Sequence, residues 1–168
     1  MILAALIAAA TPAAAANYET LQARFADWSV FAPEGEATCW ISTTPMSSET
    51  MRGGVIAQDD RETYLIFTLR PGSNGIPEMS YVFGRAFDPG SAIRLLAPLA
   101  GFDMFQQDGW AWLRKPQQDR ALVQAISHAE AIIQPFHIQT GASESRTSDR
   151  FSAQGFSAAL QDATRRCP

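Results

Sequence analysis

Residues 63–70, with the sequence Thr-Tyr-Leu-Ile-Phe-Thr-Leu-Arg, decide the fold class of this 168-residue chain. Apolar side chains recur at every second position from Leu65 onward, and β-branched residues fill the positions between them, a pattern typical of a half-buried strand. Residues 71–75 (Pro-Gly-Ser-Asn-Gly) then predict a turn, because Pro and Gly favour the backbone angles that turns require. A second strand is predicted at residues 78–83.

Short apolar runs broken by Pro, Gly, Asn and Asp continue on both sides of this pair, as in antiparallel β proteins. Residues 28–31 and 38–42 predict a hairpin around the turn at Pro33-Glu34-Gly35. Further strands are predicted at residues 92–95, 102–105, 110–113, 132–140 and 147–151.

Two segments change to a helical period, residues 117–129 and residues 153–166, and Ser152 is the predicted N-cap of the second. Residues 44–61 carry small and polar residues and predict a surface loop. The sequence thus predicts a mainly β fold, an antiparallel β-sandwich with two α-helices, one of them at the C-terminus. Because no repeat or long linker interrupts the chain, we expect residues 17–168 to form a single domain.

Composition excludes several classes of protein. The chain is 46% hydrophobic and 18% charged, which is enough apolar surface for a core and excludes general disorder. Its net charge of −4 disfavours a nucleic-acid binder, which needs a basic field. Two cysteines and two histidines are too few for multi-cysteine zinc modules or iron–sulfur sites, and no cofactor is predicted.

The N-terminus has the pattern of a secretory signal peptide over residues 1–16. An aliphatic stretch at residues 2–10 has the usual length of the apolar region, and Ala14-Ala15-Ala16 offers the small residues that signal peptidase recognises. Cleavage after Ala16 would leave Asn17 first. The segment is too short to cross roughly 30 Å of hydrocarbon as a helix, and no transmembrane segment is predicted after cleavage. We therefore expect a periplasmic or secreted protein.

The two cysteines, Cys39 and Cys167, favour a disulfide bond. Two cysteines without a Cys-x-x-Cys spacing, in an exported chain, are most simply paired. The alternative, a redox-active or nucleophilic thiol, lacks a neighbouring residue of the kind that lowers a thiol pKa.

Catalytic interpretations depend on few residues. Gly141-Ala142-Ser143-Glu144-Ser145 partly matches a nucleophile elbow but lacks its final glycine. A secreted serine hydrolase using Ser143 or Ser145, with His137 and Asp149, is therefore the alternative to a non-catalytic protein. His128 is predicted at a helix end, where a histidine interacts with terminal carbonyl groups. The spacing of the two histidines matches no metal motif.

Two clusters have both a structural and a functional interpretation. Asp59, Asp60 and Glu62 surround Arg61, and a solvated loop explains them better than paired catalytic acids do. Residues 110–112 place two tryptophans, Trp110 and Trp112, on one face of a predicted strand. Core packing is the ordinary use of such a pair. A stacking surface for a peptide or sugar is the functional alternative, and residues 46–60 are the other candidate for a binding region.

Two stretches of the chain, one near its beginning and one at its end, have a specific pattern. Residues 25–31 (Phe-Ala-Asp-Trp-Ser-Val-Phe) and 39–41 (Cys-Trp-Ile) follow the predicted signal sequence. Residues 141–160 have the pattern Gly-x-Ser, then Thr-x-Asp-x-aromatic-Ser-x-x-Gly-Phe-small-x-Ala-Leu, before a terminal cysteine, Cys167. These stretches resemble the beginning and the closing pattern of many members of the invasion-associated locus B family of Gram-negative bacteria. The chain departs from many members by having no additional cysteine pair and by carrying residues 144–146 (Glu-Ser-Arg) where Arg-Gly is frequent.

The resemblance implies a secreted or periplasmic, β-rich, non-catalytic envelope protein, in a family named for the role of some members in host-cell invasion. It implies no established ligand. The expected partners are another envelope or host protein, a peptide or a glycan.

The closing segment also has a physical interpretation of its own. Thr147, Asp149 and Phe151 share one face of the predicted strand. Gly155 weakens a helix unless close packing requires a missing side chain there. We therefore expect Gly155 to let the last helix pack closely on the sheet.

Overall fold

A computed structural model describes residues 20–57, 59–142 and 145–167, which form a mainly β fold with two helices. The strands are β1 (Leu21–Phe25), β2 (Trp28–Phe31), β3 (Cys39–Thr43), β4 (Ser47–Arg52), β5 (Val55–Ala57), β6 (Tyr64–Leu69), β7 (Glu78–Val82), β8 (Ala92–Ala97), β9 (Ala100–Gln107), β10 (Trp110–Leu113), β11 (Phe136–Gly141) and β12 (Ser145–Phe151). The helices are α1 (Pro116–Ala131) and α2 (Phe156–Arg166).

All these strands belong to one antiparallel sheet in the order β1-β2-β3-β6-β7-β10-β9-β8-β11-β12-β4-β5. The predicted pair β6 and β7 lies near its centre, with Phe67 opposite Met79. The predicted hairpin of β2 and β3 is also present, with Val30 opposite Ile41.

The sheet curves so that its two halves face each other across the core. The phenol of Tyr81 on β7 donates a hydrogen bond to Asp149 on β12, although four strands separate β7 from β12 in the sheet order. A single continuous sheet thus supplies both layers. Every large side chain that points inward from β6, namely Leu65, Phe67 and Leu69, is buried, as the alternation predicted.

Helix α2 closes one side of this core. Phe156 contacts Trp28 and Phe67, with ring centroids 5.0 and 5.1 Å apart. The disulfide between Cys39 on β3 and Cys167 joins the end of α2 to the sheet and confirms the predicted pairing.

Two boundaries differ from the prediction around the helices. Helix α2 begins at Phe156, and its N-cap is Gly155, so the N-cap predicted at Ser152 is wrong. The Glu130 carboxylate at the end of α1 accepts the N–H groups of Gly155 and Ser157, which removes the need for a serine cap. The strand predicted from residue 132 begins at Phe136, because the preceding residues form the turn that ends α1.

The surface loop predicted at residues 44–61 is also wrong. It contains the hairpin of β4 and β5, and β4 pairs with β12 along the edge of the sheet. Thr50 is the only residue of β4 that is buried. The strand propensities of its residues could not identify β4, because the segment is polar and has almost no apolar face. It is stabilised by tertiary pairing with β12.

Candidate functional site

The outer face of the central strands carries a row of large aromatic side chains. Trp110 and Trp112 alternate with the buried residues Ala111 and Leu113 on β10, so the two tryptophans share one face, as predicted, and that face is on the solvent side of the strand. Core packing, their ordinary use, is therefore wrong for this pair: Trp110 is 40% exposed and Trp112 is half-buried. The strand is buried on its other face, where Ala111 and Leu113 already fill the core.

Three aromatic rings form one stack on this face. Phe105 on β9 lies opposite Trp112 in the register and is 42% exposed. The ring centroids of Phe105 and Trp112 are 5.5 Å apart, and those of Trp112 and Trp110 are 6.1 Å apart, with interplanar angles of 28° and 13°. We call Phe105, Trp110 and Trp112 the aromatic stack. Soluble proteins seldom leave such a group exposed without a binding role.

A groove begins at the Phe105 and Trp112 end of this stack and has a volume of about 700 Å³. Its walls are the turn between β6 and β7, the outer face of β9 and β10, and the start of α1. The charged and aromatic residues that line it are Arg70, Glu78, Phe105, Trp112 and Asp119. We call this space the groove. Its size is that of a site for a small molecule or for one side chain with its flanking backbone.

Asp119 lies at the base of the groove in the first turn of α1 and is 7% exposed. Its Oδ1 atom accepts the backbone N–H of Met79 at 3.0 Å. Burial raises the pKa of the carboxyl; the Met79 hydrogen bond opposes this increase, and the charge of Glu78 adds to it. The carboxylate is thus held in place through Oδ1.

Arg70 and Glu78 form an ion pair across the mouth of the groove, with Nη1 and Oε1 3.0 Å apart. Both side chains are about half exposed. Glu78 is the ionic partner of Arg70. Of the three charged residues that line the groove, Asp119 is therefore the one without an ionic partner among the described residues.

A second polar cluster lies inside the curved sheet. Arg61 donates hydrogen bonds to Asp59 and Asp149, with N–O distances of 2.6 and 2.8 Å. The side chains of Arg61 and Asp59 are 3% and 7% exposed, so the solvated-loop interpretation is wrong for these two residues. Asp60 and Glu62 are exposed, as that interpretation predicted. The guanidinium also lies 4.1 Å from the ring centroid of Phe83. We call Asp59, Arg61, Tyr81 and Asp149 the buried network.

No buried side-chain nitrogen or oxygen of the buried network lacks a hydrogen-bond partner, and Ser48, Thr50 and the carbonyl of Phe83 supply partners from outside it. Burial alone would lower the pKa of Arg61, but its bonds to Asp149 and Asp59 outweigh this effect and raise it. Burial and the Asp149 carboxylate raise the pKa of Tyr81, so the phenol stays protonated and donates a hydrogen bond to Asp149. Ser48 donates a further bond to Asp149. The arrangement joins β4, β7 and β12 through the core, and its role is structural.

Asp149 and His137, two described residues of the hydrolase hypothesis, do not come together. Asp149 points into the core with Thr147 and Phe151, as the alternation predicted, and the buried network occupies it. His137 lies opposite Arg150 in the register, on the other face of the sheet. Ser145 begins β12, and Ser143 lies outside the described residues.

The remaining predicted residues have peripheral positions. His128 is exposed in the last turn of α1, as predicted, and its carbonyl accepts the N–H of Ile132. Within residues 20–57, 59–142 and 145–167, no group of three histidine, cysteine or acidic residues is arranged to hold a metal ion. Neither α1 nor α2 has the length and hydrophobicity that a membrane-spanning helix needs.

Sequence reasoning identified the tryptophans but missed the groove. The available signal was Pro116, which starts a helix whose first turn contains an acid, Asp119. Nothing in the local pattern shows that this turn lies beside Glu78 and Trp112. Comparisons of the chain with protein-family models, with curated proteins and with solved structures find no match.

Proposed function

We propose that this protein is a non-catalytic, exported protein of the bacterial envelope, of the invasion-associated locus B type, that binds an extended segment of another protein. The binding surface is the aromatic stack together with the groove. The observation that carries the proposal is the exposed row of Phe105, Trp112 and Trp110 leading directly into the groove.

The stacking geometry favours a polypeptide over a glycan. The centroid spacings of 5.5 and 6.1 Å place three apolar contacts in one row, and the row leads into a groove that charged residues line. An extended peptide can place successive apolar side chains along such a row and a polar group in the groove. Aromatic side chains also supply much of the binding energy at protein interfaces, because they bury a large area at low entropic cost.

Two features support export to an oxidising compartment. The disulfide between Cys39 and Cys167 is of the kind that persists outside the cytoplasm. The apolar segment at residues 1–16 supplies the signal that export requires.

The test is selection of binding peptides by the purified, oxidised protein. A display library of random short peptides is panned on the wild-type protein, and the enriched peptides are synthesised and titrated by calorimetry. We expect Trp112→Ala to weaken binding about tenfold, because the side chain lines both stack and groove. Leu99→Ala is the matched control, since it removes a side chain that is 77% exposed on the turn after β8.

Two results would contradict the proposal. One is a selection in which no peptide is enriched above an unrelated β protein. The other is a set of peptides whose affinity falls equally in the Trp112→Ala and Leu99→Ala variants. Binding to a glycan array without binding to any peptide would show that the ligand of this surface is a glycan. It would likewise reject a peptide partner.

A further inference from the structure

We infer that the groove is a subsite for a cationic side chain, lysine or arginine, of the bound polypeptide, with Asp119 as its counter-ion and the rings of Trp112 and Phe105 as its wall. This inference rests on the proposed function and adds the chemistry of the ligand.

The state of Asp119 is the first reason. The residue is more than nine-tenths buried, yet its side chain lines an open groove. Oδ1 accepts the Met79 N–H, and no described residue donates a hydrogen bond to Oδ2. Oδ2 is not among the enclosed atoms without a partner, since Arg85 Nε is the one such side-chain atom in the described residues. Oδ2 is therefore open to solvent and can accept a hydrogen bond from a donor placed in the groove.

The aromatic wall is the second reason. Trp112 and Phe105 line the same groove as Asp119. A cation placed over the face of an aromatic ring is attracted by the ring quadrupole, most strongly when water is excluded. A carboxylate at the base and rings along the side together select a positively charged group that carries an apolar stem, as lysine and arginine do.

The remaining charges of the groove agree with this choice. Glu78 is a second carboxylate and is paired with Arg70 at the mouth. An anionic ligand would meet both Asp119 and Glu78, whereas a cation would compensate the carboxylate of Asp119. Arg120 lies outside the groove, in an adjoining cavity that shares Ile76 and Pro116 with it.

The volume sets the size of the occupant. A space of about 700 Å³ exceeds that of a single ammonium group and accommodates a long side chain with adjacent backbone. The neighbouring residues of the peptide would then lie along Trp110.

The experiment pairs a change in the ligand with a change in the protein. Each selected peptide is synthesised with its lysine replaced by norleucine, or its arginine by citrulline, so that length is kept and charge is removed. Affinities are measured by calorimetry for the wild-type protein, for Asp119→Asn and for Asp103→Asn. Asp119→Asn keeps an oxygen that can accept the Met79 N–H, so circular dichroism and thermal unfolding should report an intact fold.

Asp103→Asn is the matched control. It also removes one carboxylate charge, from an exposed side chain on β9 that pairs with Arg94 at 3.2 Å outside the groove. If the overall charge of the protein affects its affinity for a cationic peptide, the affinity will change in both variants. If the groove itself binds the cation, the affinity will change in Asp119→Asn alone.

We expect removal of the peptide charge to weaken binding to the wild-type protein and to Asp103→Asn about tenfold, and to change binding to Asp119→Asn less than about twofold. The inference falls, while the proposed function stands, if peptides bind in a Trp112-dependent way but neither charge removal nor Asp119→Asn changes the affinity. Enrichment of acidic peptides would also overturn it. If no peptide is enriched at all, the proposed function itself fails.

Discussion

The Nη2 atom of Arg61 lies 2.8 Å from Oδ1 of Asp149, and both side chains are almost completely removed from solvent. Arg61 comes just before β6, in the middle of the sheet, and Asp149 lies on β12, near its edge. The ion pair therefore connects the two halves of the curved sheet. Since each charge is desolvated, neither can lose its partner without a large free-energy cost.

We expect Asp149→Asn to reduce the free energy of unfolding by about 3 kcal/mol, because it removes the charge that Arg61 and Tyr81 both depend on. Urea titration with the disulfide intact measures this change. The control, Asp103→Asn, breaks the exposed pair with Arg94 and should cost less than about 1 kcal/mol. Equal losses in the two variants would show that the buried network contributes nothing beyond a surface pair.

Gly155 allows α2 to pack closely on β1. A Cβ atom on Gly155 would lie 2.0 Å from the carbonyl oxygen of Phe25, and φ at this glycine is +90°. Gly155→Ala should therefore destabilise the protein both through backbone strain and through displacement of α2. Gly35 has a φ of +78°, and a Cβ atom there would meet nothing within 4 Å, so Gly35→Ala isolates the strain.

We expect Gly155→Ala to cost roughly 2 kcal/mol more than Gly35→Ala, whose cost should be about 1 to 2 kcal/mol. Thermal and chemical unfolding provide the comparison. Similar costs for the two variants would mean that α2 moves away from Phe25 without loss of packing.

The disulfide closes a long loop, since its cysteines are 128 residues apart. Loop-closure entropy predicts that Cys39→Ala with Cys167→Ala lowers the free energy of unfolding by up to about 5 kcal/mol. Mass spectrometry after thiol alkylation should find both cysteines of the purified, oxidised protein unmodified before reduction. Alkylation of either cysteine without reductant would contradict the pairing.

Asp119 should make the free energy of unfolding depend on pH, and the direction of its pKa shift fixes the sign of that dependence. Burial raises the pKa of its carboxyl above the ordinary value of 3.8, so the folded protein holds this proton to a higher pH than the unfolded chain does. The contribution of Asp119 to stability therefore declines as the pH rises from 3.8 through the folded-state pKa. Asp119→Asn does not titrate, and its stability relative to the wild type should increase across that interval.

Urea titrations from about pH 3 to about pH 8 test this expectation. The stability of the variant minus that of the wild type should be lowest at the acid end and reach a plateau at the neutral end. A difference that is constant with pH would show that Asp119 has the same proton affinity in both states.

Some strands could be predicted from the sequence and others could not, and the difference has a physical reason. Strand β6 has a strict alternation of buried residues, and its identification needed nothing beyond neighbouring positions. Strand β4 buries only Thr50, so its stability comes from β12, which is distant in sequence. The alternation predicted that Trp110 and Trp112 share a face but could not say whether that face is covered.

The sequence by itself determined the mainly β class, the period of each apolar strand, the C-terminal helix and the availability of two cysteines for one disulfide, because these depend on local periodicity and residue type. Only the tertiary structure decided that a single sheet supplies both layers, that Arg61 is buried against Asp149, and that Asp119 lies beside Trp112. These relationships join residues far apart in the chain. Their energies depend on desolvation and close packing, which arise only once distant strands have been brought together.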